Sequence, residues 1–64
     1  MNAIAERLED LITEEEDASG EYVEFANDLY ESGFSKSDAA KVINIARDER
    51  RHFEILKSLL RKIQ

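Results

Sequence analysis

Asp48-Glu49-Arg50-Arg51-His52 holds the only histidine of the chain, and a glutamate stands three residues before it. On a helix, residues three apart lie one above the other on the same face. A carboxylate oxygen and an imidazole nitrogen can then reach one metal ion together. The spacing alone is a weak signal: with ten Glu in 64 residues, a Glu would precede the histidine by three roughly one time in six by chance. Its place in the hydrophobic pattern strengthens it. Val42, Ile45, Glu49, His52, Leu56, Leu59 and Ile63 recur at alternating spacings of three and four, so the pair interrupts an otherwise apolar stripe. Glu15 does the same in the first half, among Ile4, Leu8, Leu11, Ala18, Tyr22, Phe25 and Leu29. A buried carboxylate costs several kcal/mol unless it is paired, protonated or bound to a cation.

Two helices must position these groups. The apolar periodicity of 3.6 predicts helix one from about 3 to 32 and helix two from about 36 to 63, with a turn at 33–35. Gly33 suits the left-handed position just past a helix end, with Phe34 packing back on Leu29. Ser35 followed by Asp38 resembles a capping box with Asp in place of Glu or Gln. Gly20 is the discordant residue of helix one and marks a kink or a close helix contact.

Sixty-four residues make one small domain, which buries only about 60% of its unfolded surface and is marginal without a staple. There is no Cys, so neither a disulfide nor a thiolate site exists. No apolar run approaches the ~20 residues needed to span a bilayer, and no signal-peptide pattern opens the chain. A cytoplasmic location is the expectation. Residues 1–33 carry eleven acids against one base, Arg7, whereas residues 34–64 carry four acids against eight bases. An acidic helix beside a basic one favours antiparallel pairing, and the net charge of −6 argues against nucleic acid or an anionic membrane as target.

A lone hairpin cannot cover its own apolar stripes, but two hairpins can, as an antiparallel four-helix bundle. A homodimer is therefore expected, either alone or as the base of a larger assembly. Counted from the turn, Glu15 and Glu49 differ in level by only about 6 Å at 1.5 Å per residue. A twofold dimer gathers four Glu and two His at one level of its core. Two divalent cations would neutralise that charge, and they accept mixed oxygen and nitrogen ligands.

These residues resemble the ferritin-like superfamily, in particular the di-iron halves of rubrerythrins and bacterioferritins. Glu15-Glu16-Asp17-Ala18-Ser19-Gly20-Glu21-Tyr22 looks like the rubrerythrin first helix, Glu-x-x-Ala-x-x-x-Tyr, and Phe25-Ala26 continues the likeness. Asp48-Glu49-Arg50-Arg51-His52 is similar to the family's Asp-Glu-x-x-His. The likeness covers about residues 11 to 60. It implies Glu15 as terminal ligand, Glu49 as bridging carboxylate and His52 as nitrogen ligand, with two irons per homodimer. It further implies that Asp48 orients a histidine of the opposite half and that Tyr22 lies near the metals as a catalytic residue. The implied function is that of a ferroxidase, a peroxide scavenger or another iron-handling protein, served by an unidentified electron donor.

The chain departs from that pattern in holding one hairpin rather than two, and in lacking the cysteine-built iron site of complete rubrerythrins. Two other readings of the seam residues stay open: a structural hairpin dimer whose polar seam sets register, and a redox-inactive zinc or manganese site. Tyr22 also reads as core packing. Glu21 and Glu24 read as surface charges that can turn inward as auxiliary ligands.

Overall fold

The computed structural model describes residues 2–64 as two antiparallel helices with no strand among them. Helix α1 spans Ala3–Glu31 and helix α2 spans Lys36–Ile63. Asn2 opens α1: its side-chain oxygen accepts from the backbone N–H of Ile4 at 2.8 Å and of Ala5 at 3.3 Å. Those are two of the four donors that a helix start leaves free. Ser35 does the same for α2, accepting from the Asp38 N–H at 3.1 Å. The carboxylate of Asp38 faces Lys41 at 3.5 Å.

The turn forms through backbone chemistry. Gly33 adopts a φ of 98°, which costs a residue with a Cβ about 1–2 kcal/mol. The Phe34 N–H then donates to the Leu29 carbonyl at 3.0 Å and the Gly33 N–H to the Tyr30 carbonyl at 3.2 Å. These two bonds make a Schellman closure. Ser32 is the cap rather than the last helical residue. Phe34 is joined to Leu29 through the backbone bond, and the aromatic residue stays 52% exposed.

Leu8, Ala26, Ala46 and Phe53 are the buried residues between the helices. Ala26 and Ala46 are small enough to let the backbones approach. There the Ser19 hydroxyl donates across to the Ala46 carbonyl at 3.3 Å. Towards the open end Phe53 is buried between the helices, with Arg50 and Lys57 laid over its ring at 4.6 and 4.9 Å. Burying a side chain of that size contributes about 1.5–3 kcal/mol. Gly20 marks no close helix contact: α1 continues through it, and a methyl group there would meet nothing within 4 Å.

The hairpin is one layer thick, with extents of 49 × 14 × 10 Å. Much of its apolar surface is therefore left open. Ile4, Phe25, Ile45, Leu59 and Ile63 are all more than 40% exposed. Helical geometry sets Ile4, Leu11, Ala18 and Phe25, seven residues apart, along one edge of α1. Ile45, His52 and Leu59 follow the same spacing along α2. In an antiparallel pair these edges flank the same broad face. No described helix is long and apolar enough to cross a membrane.

Candidate metal centre

Glu15 enters the site from the middle of α1. Glu14, Glu16 and Asp17 around it are exposed, whereas Glu15 is half-buried, so the register of the acidic run turns this one carboxylate inward. Glu49 and His52 enter from the middle of α2, one helical turn apart. Together the three offer one ligand atom each, all within 4.8 Å of one another. A single chain thus brings one of each residue together.

The electrostatics of the cluster are unresolved by the protein itself. His52 Nδ1 stands 3.6 Å from Glu15 Oε2, an ion-pair contact when the imidazole is protonated and longer than a hydrogen bond. Glu15 Oε2 is buried and has no hydrogen-bond partner. Most buried polar atoms are satisfied, so an orphan of this kind calls for a donor or a cation. The basic side chains of α2 do not provide one. Among the described residues Arg50 pairs with Glu54 at 3.3 Å and Lys41 with Asp38, and no Lys or Arg reaches Glu15 or Glu49.

Glu49 feels the same crowding. Its pKa is raised above the ordinary value of 4.5, first because Glu15 faces it and can accept a hydrogen bond from its protonated form. Partial burial and the charge of Glu15 push the same way, and His52 opposes them. Two carboxylates and one imidazole converging without a lysine or arginine form a set of hard and borderline donors that suits a divalent ion such as iron, manganese or zinc.

The other candidates lie outside this group. Asp48 is exposed beside Glu49. Tyr22 is half-buried on α1, two turns from Glu15 and about 10 Å further along the axis. Glu21 and Glu24 are exposed. The bond from Ser19 to Ala46 was not foreseen from sequence. Ser19 lies one turn after Glu15, and Ala46 lies one turn before Glu49, so the bond ties the helices together next to the cluster. A shallow groove of about 350 Å³ near the turn, lined by Ala26, Tyr30, Ala39 and Ile43 with Lys36 at its edge, contains neither carboxylate nor imidazole. Its chemistry is unrelated to the cluster.

Comparison of the chain with protein-family models, with curated proteins and with solved structures yields no match.

Proposed function

We propose that the hairpin is a divalent-metal protein whose Glu15, Glu49 and His52 hold the ion, and that two copies join into a four-helix bundle with a two-metal centre at their interface. The observation that carries this reading is the buried, unpartnered Oε2 of Glu15 facing His52 and Glu49. Iron is the metal that the resemblance to rubrerythrins favours, and the role that goes with it is ferroxidase, peroxide-scavenging or iron-handling activity. Bound as a pair, ferrous ions would supply electrons to O2 or peroxide.

The chain's own residues do the remaining work. Glu15 and His52 would hold the ion from opposite helices, with Glu49 as the further carboxylate of the set. The crowding that raises the Glu49 pKa means that a proton and a cation compete for the same oxygen. Asp48 would orient the imidazole of the other copy, a role that fixes its tautomer. Leu11 and Leu56, each one turn from a ligand and half-buried, would border the site on the side away from the turn.

Metal analysis of protein purified without chelator tests the reading directly. Near-stoichiometric metal that His52→Ala and Glu49→Ala both lose supports it. Metal-free protein that also takes up no Fe2+, Mn2+ or Zn2+ on titration leaves the structural hairpin dimer as the better account. If metal binds but ferrous ions are not consumed by either O2 or peroxide, the site is a zinc or manganese site. Tyr22→Phe should leave metal content unchanged and alter only the rate of that consumption.

A further inference from the structure

Resting on that metal-site reading, we infer that the bound ion switches the association of the chain with a second copy of itself. The metal-free face repels its own twin, and the metal-loaded face closes on it.

The face comes first. Ile4, Phe25, Ile45, Leu59 and Ile63 are 64, 51, 42, 44 and 44% exposed, and they flank the ligand cluster on both helices. The cluster opens onto this face, because the His52 side chain is 46% exposed while that of Glu15 is 24% exposed. With extents of 49 by 14 Å, the face offers roughly 700 Å² per copy, close to the ~800 Å² that each partner buries in a standard stable interface.

Two features identify the occupant as a second copy. Glu15 and Glu49 lie near the midpoints of Ala3–Glu31 and Lys36–Ile63. A twofold that lays the face on itself therefore brings the two clusters together. Among the described residues, one chain also supplies only three ligating side chains at the cluster, Glu15, Glu49 and His52. The remaining positions of an ion held there point to the open face, and an identical cluster is the complement that fills them.

The switch follows from charge. Closing the face places four carboxylates in one water-poor layer. Neither glutamate has a Lys or Arg within ion-pair distance among the described residues. His52, 3.6 Å from Glu15, can offset at most one of the two charges per copy, whereas a divalent ion per copy balances both. Linkage then runs in both directions: metal tightens the dimer, and the dimer tightens metal by the same factor.

Sedimentation velocity with parallel circular dichroism tests this, using Mn2+ and Zn2+ as air-stable probes. In chelator the wild-type chain should sediment near its 7.4 kDa mass. Metal should shift it to about twice that mass and tighten association at least about tenfold, within the usual range for coupled sites. The double variant Glu15→Gln with Glu49→Gln keeps shape but removes charge. It should dimerise in chelator and ignore metal. Ile45→Glu, one turn from the ligands, provides a separate arm: it should bind Mn2+ by electron paramagnetic resonance yet stay monomeric. A wild-type dimer that chelator leaves intact, or metal uptake with no change in mass, overturns the switch while sparing the site. Absence of any Mn2+ or Zn2+ binding overturns the site itself.

Discussion

At the residue scale, the decisive contrast is between Glu15 and its neighbours. Four consecutive acids, Glu14 to Asp17, carry the same charge, and only Glu15 has an oxygen that is both buried and unpartnered. Its effect on Glu49 gives the first expected outcome. A folded-state pKa above the unfolded one means that folding favours the protonated form. Glu49 then contributes stability that is complete below about 4.5 and is lost as pH rises through the raised value. The metal-free chain should therefore melt lower at neutral pH than in mild acid. Glu49→Gln should flatten that dependence and raise the neutral melting temperature. Thermal melts in chelator across a pH series check this, and a wild-type profile that rises towards neutral would contradict the crowding of Glu15 and Glu49. Metal reverses the sign: the ion needs the deprotonated ligand, so its affinity should fall on acidification.

At the element scale, the sequence marks the helix ends by residues with a local job. Gly33 was readable because only a glycine adopts positive φ without strain, and Ser35 because its hydroxyl replaces a missing backbone acceptor. The convergence of Glu15 with Glu49 could be counted from the turn, since rise per residue is fixed. Asn2 was not read as a cap, because one polar residue near a terminus is a short signal. Ser19 carries no such signal, because its bond to Ala46 depends on how closely the helices approach, a tertiary quantity with no local signature. Gly20 is the opposite case, a conspicuous residue whose small size faces open space, so no neighbour uses it. Gly20→Ala should accordingly stabilise the chain by about 0.5–1 kcal/mol, through helix propensity alone. Gly33→Ala should destabilise it by about 1–2 kcal/mol. Urea titrations of the two variants should move in opposite directions. Ser19→Ala should lose about 0.5–1.5 kcal/mol for the missing bond. If that bond also sets the spacing of the ligands, metal affinity should fall beyond what the stability change conveys, and Ser19→Thr should restore part of it.

At the scale of the whole molecule, the same thinness explains both what the hairpin lacks and what would complete it. Four buried residues among the described residues 2–64 are a small core, and a chain this short rarely holds more than about 3–5 kcal/mol without a staple. A ligand that binds only the folded form adds about 2.7 kcal/mol at a hundred times its Kd. One kcal/mol moves the melting temperature of a domain this size by about 4–8 °C. Saturating Mn2+ or Zn2+ should therefore raise the melting temperature by 10 °C or more, on the order of that product. Glu49→Ala should abolish most of the gain while leaving the metal-free chain no less stable, since it removes one of the facing carboxylates. The two contributions separate by concentration. Stabilisation from the ion alone depends on free metal, whereas stabilisation from association also grows with the amount of protein. A metal-induced shift that increases on raising protein concentration at constant free metal would place the ion at the interface. A shift independent of protein concentration would confine it to one hairpin, and no shift at all would leave the seam carboxylates without a cation to explain them.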